Sequence, residues 1–425
     1  MVTNLRYAVL VAWIAVPCLA IAEQRTVRIE QPIQPRGTIA LKLRTKQAFE
    51  NGSATEPATT PFLSIPNLGE GFVRQDNSSV RIGWQWKGIK GAPYVVPQLP
   101  ELPGPDTYFI QFTWDAEKGL FDFYVNGHSM RKAGVESEPW TFAAAAEEIV
   151  AAGGPVDVGD LIVLPKYLPP DEARRQVPKE LLGRHAEVFG GERDVQPLAI
   201  DERRGRLLYE AKLVDEQDVR DWVLEGPGEI SFEDGWMKMR STRPDAKGPL
   251  NGHIVHWCPR DFPERFVAEW EIQLLEDMGL TIVFFAAKGE NGEDIFDPNL
   301  PERDGTFVHY IRRSVKSYHI SYYASTPNYV GRPTSNLRKN NRFYLLSSGQ
   351  VAIPAASKDI HHIRLIKDGA HIQLQCDGKV SIDFTDPGGE RHGPVYGGGK
   401  IGHRQMQWTV GRYRNFRVWE LRPDE

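Results

Sequence analysis

The sequence predicts an all-β fold arranged as two antiparallel β-sandwiches with a few short helices. Three observations lead to it. Apolar and polar residues alternate with a period of two in many segments, and short turns containing Gly, Asn or Asp separate those segments. Helical periodicity is confined to two stretches, 141–152 and 169–189. The chain has 425 residues, more than one core usually serves, so two domains of about 200 residues each are expected.

The first 22 residues, MVTNLRYAVLVAWIAVPCLAIA, carry one Arg, then an apolar run, then Ala20-Ile21-Ala22, the small-x-small pattern of a signal-peptidase site. The apolar part is shorter than the roughly 20 residues needed to span a bilayer. The segment reads as a cleaved secretion signal, with the mature chain beginning at Glu23 and destined for the periplasm or the outside of the cell. Loss of Arg6 takes the formal charge from −5 to −6. That balance is mild and dispersed, which argues against a nucleic-acid partner. Cys18 lies in the signal, leaving Cys258 and Cys376, and no CxxC pair exists for a zinc ribbon or a thioredoxin-like site. A disulfide between those two cysteines and two buried thiols are both compatible with the sequence.

From residue 23 to 205, GTIALKLRT, SVRIGWQWKG and YFIQFTWDAEKGLFDFYVNGH read as strands, the last turning at Glu117-Lys118-Gly119 and at Asn126-Gly127. TFAAAAEEIVAA (141–152) has helical spacing. So does PPDEARRQVPKELLGRHAEVF (169–189), with Asp171 as a start cap and Pro178 as an interruption. After the charged DERRGRLLYE a new strand pattern begins, which places the boundary near residue 205. In RFVAEWEIQLL, Phe266, Ala268, Trp270, Ile272 and Leu274 fall on one face. HHIRLIKDGAHIQLQCDGKVSIDF gives a three-stranded meander with turns at Asp368-Gly369 and Asp377-Gly378. A propeller would need a repeat of about 40 to 50 residues, and none is visible.

Two resemblances cover most of the chain. DTYFIQFTWDAEKGLFDFYVNG followed by VDVGDLIVLPKYLPPDEARRQV resembles laminin-G-like modules of concanavalin type. LLYEAKLVDEQDVRDWVLEGPGEISFEDG, HWCPRDFPERFVAEWE, GLTIVFFAAKGENGEDIFDP, HISYYA, NLRKN, RLIKDG and GGGKIGHRQMQWTVGRYRNFRVWEL together resemble the YesU-like family over about 207–421. The resemblance implies two concanavalin-like jelly rolls, 23–205 and 206–425. It also implies work on plant- or algal-type carbohydrate, without naming a reaction.

Sandwiches of this kind generally hold sugar with flat aromatic faces and planar polar groups on a sheet or its loop rim. Alternation in GHIVHWCP places Ile254, His256 and Cys258 on one face, with His253 and Trp257 expected to look outward beside Glu269 and Glu271 of the next strand. NLRKN offers Asn336, Arg338 and Lys339 in a turn-rich segment, where a guanidinium fork and an ammonium could clamp a uronate carboxylate. KIGHRQMQW adds Arg404 and Gln405, and HISYYA adds Tyr322.

The loop GEDIFDP carries Asp294 and Asp297 around Phe296, and it is expected to form a structured rim of the sugar site. Local capping of turns by the two acids is the competing reading. Asp294, Asp297 and His319 are the candidate catalytic groups for a hydrolase or lyase. Yet the loop lacks the alternating strand carboxylates that fix a separation of roughly 5 Å in retaining glucanases. Hard oxygen donors there are compatible with Ca2+, although the spacing is not that of an EF-hand. Enzyme, glycan binder and protein-adhesion module all remain open at the level of sequence.

Overall fold

Four large antiparallel sheets carry the chain, two in each half. The computed structural model describes residues 25–424 apart from 53–56, 67–68, 87–97, 131–138, 141–145, 152, 192, 246–251 and 327–330. The expected signal at 1–22, Cys18 included, lies outside the described residues, and no described helix is long and apolar enough to cross a membrane.

In the first half a six-stranded sheet packs on a five-stranded one. The five-stranded sheet is centred on Asp106–Asp115, which pairs with Arg36–Thr45 on one side and Leu120–Val125 on the other. Ile39, Leu41, Leu43, Ile110, Phe112, Trp114, Val73 and Trp84 meet between the two sheets, because alternation turns every second residue of each strand inward.

In the second half an eight-stranded sheet faces a seven-stranded one. Strand Arg265–Leu274 sits between Ile360–Asp368 and Val410–Leu421. Its expected inward face, Phe266, Ala268, Trp270, Ile272 and Leu274, lies wholly in the core with Val283, Phe285, Tyr318, Ile320 and Leu337 of the opposing sheet. The meander is present as Ile360–Asp368, His371–Cys376 and Lys379–Thr385. Gly369 and Gly378 take φ of 61° and 77° at the two turns, a region open to glycine without steric cost.

Two local expectations are corrected, and of the two alternatives for the cysteines the structure has the buried thiols. Within 141–152 the described part, Ala146–Ala151, is a strand paired with Arg25–Ile33 and Ala58–Ile65; docking into a sheet overrides its weak helical spacing. Helix Pro170–Gln176 starts at Pro169 and not at an Asp171 cap, and Pro178 follows directly on its last turn at Val177. Cys258 and Cys376 are both free and buried.

The segment before residue 206 belongs physically to the second sandwich. Leu198 N–H donates to Gln373 (2.9 Å), Gln350 donates to the Arg193 carbonyl (2.7 Å), and Ile200 is buried against Val267, Ile366 and Leu421. A fragment beginning at 193 is therefore expected to fold without the first half. It should exceed a fragment beginning at 206 by about 2 to 3 kcal/mol, the usual worth of one buried Ile. Urea unfolding of the two fragments reads the difference, and equal stabilities would remove the assignment.

Candidate functional site

Along the seven-stranded sheet, side chains that do not enter the sandwich core form a second, outer face. Val255 and Trp257, Ile282 and Phe284, and Ala287 gather there into a separate apolar cluster. The connection 290–314 folds over them, contributing Ile295, Tyr310 and Ile311. Ile295 is its deep anchor at 1% exposure, while Phe296 is only half-buried against the cluster. One buried carboxylate fastens this cover: Glu225 accepts from Trp257 Nε1 (3.0 Å), Tyr310 Oη (2.7 Å) and Arg303 Nη2 (2.6 Å). Alternation in VLE puts Glu225 beside Val223 on the outer face, a lone acid among apolar residues. That lone acid is the sequence signal for the site.

The expectation that His253 and Trp257 are open to ligand is thus corrected. Both lie on the outer face, but the 290–314 cover buries them. His253 Nδ1 accepts from Arg404 Nη2 (2.6 Å), and burial, reinforced by that guanidinium, pushes the imidazole down to about 3. Arg404 itself is 1% exposed and lies over the Phe307 ring at 4.6 Å.

Glu269 and Glu271 do not neighbour them. Their strand, Arg265–Leu274, belongs to the eight-stranded sheet, whereas Ile254–Trp257 belongs to the seven-stranded one. Burial would raise the Glu269 carboxyl, but hydrogen bonds from Arg204 (2.8 Å) and Arg364 (2.7 Å) outweigh it and hold the group below its ordinary value. Glu271 is bound in the same way by Arg414 and Asn415.

Tyr322 and Gln405 point into the sandwich, Tyr322 among the core residues and Gln405 against the Tyr413 hydroxyl at 2.8 Å. NLRKN is not a loop: Thr334–Asn340 is a strand, so its side chains alternate. Lys339 turns to the side of Tyr318 and Tyr396, where its ammonium meets Asp386 at 2.7 Å, both groups fully buried. Arg338 turns outward and reaches the first half, donating to Gln98 and to the Phe343 carbonyl (2.8 Å). Among the described residues the side chains of the catalytic candidates share no hydrogen-bond partner, although Asp297 N–H donates to the Asp294 carbonyl (2.9 Å). Asp294 accepts from Phe296 N–H (2.9 Å) and pairs with Lys400 (2.8 Å), which supplies the positive charge a cation would bring there. Asp297 accepts from Asn299 N–H (2.8 Å), a local turn bond. His319 is 2% exposed, 3.1 Å from Asn340, and burial followed by Arg338 and Arg404 keeps it neutral far below its ordinary value.

Asn336 has a different setting. Beyond the edge of the cover the outer face meets the first sandwich, and a cleft of about 270 Å³ runs between them. Leu99 and Phe189 line it from the first half, Leu280, Arg332, Asn336 and Ser348 from the second. Ser348 Oγ is buried and makes no hydrogen bond among the described residues. The halves are held together there by hydrogen bonds, Leu345 N–H to Ser78 O (2.9 Å) and the Asn51 side-chain Nδ2 to Leu345 O (2.6 Å).

In class the molecule is a tandem of two antiparallel β-sandwiches, the second with a covered outer face and a cleft at its margin. Residues 206–418 match the model of a family described as a domain of unknown function (DUF1961), and the chain belongs to that family. It is similar to the uncharacterized protein YesU of Bacillus subtilis (strain 168), at 35% identity over 222 residues, 51% of this chain and 96% of that protein. A crystal structure of a Bacillus subtilis protein of unknown function with a galectin-like fold is 33% identical, with 52% of this chain and 99% of that one covered and a TM-score of 0.47. The carbohydrate-binding module CBM66 from Bacillus subtilis is 11% identical, covering 47% of this chain and 95% of its own, with a TM-score of 0.31.

Proposed function

We propose that this is a secreted protein that binds carbohydrate, a plant- or algal-type glycan or its fragments, in the cleft between its two sandwiches. The observation that carries the reading is the buried, unpartnered Ser348 hydroxyl beside Asn336 in a recess with an apolar wall. An unmet hydroxyl costs about 1–3 kcal/mol, which a ligand hydroxyl recovers on binding. Leu99, Phe189 and Leu280 offer apolar surface to sugar CH groups, while the planar Asn336 amide suits vicinal hydroxyls. Binding is favoured over cleavage because Asp294, Asp297 and His319 are separately engaged. The signal-like start of the chain supports an exported location.

Calorimetric titration of the mature protein with neutral and uronate-containing oligosaccharides tests this, with new reducing ends and unsaturated-uronate absorbance followed in parallel. Asn336→Ala and Ser348→Val are each expected to weaken the best ligand at least about tenfold, or about 1.4 kcal/mol, with Tm little changed. Undiminished affinity in both variants overturns the cleft as the site.

A further inference from the structure

On the margin of the eight-stranded sheet, outside the lining of the cleft, three side chains stand in line. Ser357 lies in the turn before strand Ile360–Asp368, His361 is the second residue of that strand, and Asp377 occupies the hairpin turn after His371–Cys376. Ser357 Oγ is 2.8 Å from His361 Nε2, and His361 Nδ1 is 2.7 Å from Asp377 Oδ2.

The protons in this line are fixed by elimination. A carboxylate only accepts, so Nδ1 carries the imidazole hydrogen and donates it to Asp377. Nε2 is then the acceptor, and the Ser357 hydroxyl must donate to it. The remaining groups agree: Asp359 N–H points at Ser357 Oγ (3.3 Å), and His362 N–H donates to Asp377 Oδ1 (2.8 Å), clamping the carboxylate. His361 is almost wholly buried at 7% side-chain exposure, which holds its ring, whereas Ser357 is half-buried and reachable from solvent. Ala356, immediately before the serine, has φ of 61°, an unfavourable conformation for a residue with a Cβ and one that concentrates at functional positions. The neighbouring Cys376 thiol is buried and pushed well above its ordinary value, so it is a poor nucleophile beside the serine.

We propose that Ser357 is the nucleophile and His361 the general base of an acyl-transfer site for carboxylic esters, with Asp377 positioning the imidazole. Ser357 Oγ attacks the ester carbonyl carbon as its proton passes to His361 Nε2. The bond to the alcohol oxygen breaks, and the alcohol leaves with that proton. Water then attacks the acyl-serine, giving one proton to His361. The carboxylic acid departs as His361 returns that proton to Ser357 Oγ. No electron transfer or further reactant is needed. The site is independent of the glycan cleft.

The test is covalent labelling of the mature protein with a fluorophosphonate, together with hydrolysis of 4-methylumbelliferyl acetate. One adduct per chain is expected, mapped to Ser357 by peptide mass spectrometry. Ser357→Ala should abolish it, and His361→Gln should slow it at least about 100-fold. Asp377→Asn, which keeps a side-chain oxygen for the His362 N–H, should lower kcat more than it alters KM. Cys376→Ser should leave labelling intact. Circular dichroism and Tm identify any variant that fails to fold, and wild-type labelling decides the matter without one. Absence of an adduct at Ser357, or unchanged labelling in a folded His361→Gln, overturns the proposal. So does a stoichiometric zinc ion lost in Cys376→Ser, which would make the cluster a metal centre.

Discussion

Acidification from pH 7 to pH 4 is expected to remove most of the stability of the second sandwich, with the loss beginning near pH 6.5, above the carboxylate range. His256 and His403 face each other across adjacent strands inside the core, packed against Trp222 and, for His403, Trp270 and Tyr413. Neither ring nitrogen of His403 has a hydrogen-bond partner among the described residues. Burial pushes both imidazoles down to about 3, and His253 on the outer face is pushed equally low. The unfolded chain binds a proton at each near pH 6.5, while the folded chain refuses it until about 3. Stability is therefore complete above 6.5 and declines as pH falls through that window. Each histidine adds a slope of about 1.4 kcal/mol per pH unit, so these three give about 4, and His319 and His392, also lowered by burial, steepen the decline further. Urea unfolding at pH 7, 6, 5 and 4 and constant ionic strength measures it. In His403→Leu the slope should fall by about one proton. A flat profile between 6.5 and 4.5 would contradict the account.

Asp386→Ala is expected to cost about 3 to 5 kcal/mol, the usual loss when one member of a buried ion pair is removed. Asp386 accepts from Lys339 Nζ, from the Tyr318 hydroxyl and from Gly388 N–H (2.9 Å). Without it the Lys339 ammonium keeps, among the described residues, the Gly393 carbonyl at 3.1 Å and the faces of Tyr396 and Tyr318, in a place with no access to water. Replacing both members, Lys339→Met with Asp386→Leu, should recover much of the loss, because the penalty comes from the stranded charge and not from the missing attraction. Guanidinium unfolding of the single and double variants checks this, and a double variant no more stable than Asp386→Ala would refute the explanation.

These two cases mark what was legible in the sequence. Alternation in RFVAEWEIQLL identified the core face of its strand, and the Asp-Gly turns fixed the meander, because both are local properties. Lys339, expected in a turn, and Glu269, expected on an open strand face, differ from expectation because a charge reads as solvent-facing or ligand-facing unless its partner is known. Their partners, Asp386 and Arg204, are 47 and 65 positions away. Trp257 was correctly placed on the outer face, yet its burial depends on a cover held by Glu225, Arg303 and Tyr310, a set scattered over 85 positions. Only local patterns, alternation within short runs and turn pairs, are read directly. The cleft was beyond such a reading altogether, since its walls come from opposite halves of the chain.

That shared construction has a thermodynamic consequence. A ligand touching Phe189 on one side and Asn336 on the other binds only when the halves are docked, so occupancy must tighten the docking by RT ln(1 + [L]/Kd). The relation is reciprocal: loosening the seam at Asn51 and Ser78 weakens apparent ligand binding in proportion to the fraction of molecules whose halves come apart, although neither contact touches the cleft wall. Affinity in this molecule thus doubles as a gauge of how firmly its two sandwiches hold each other.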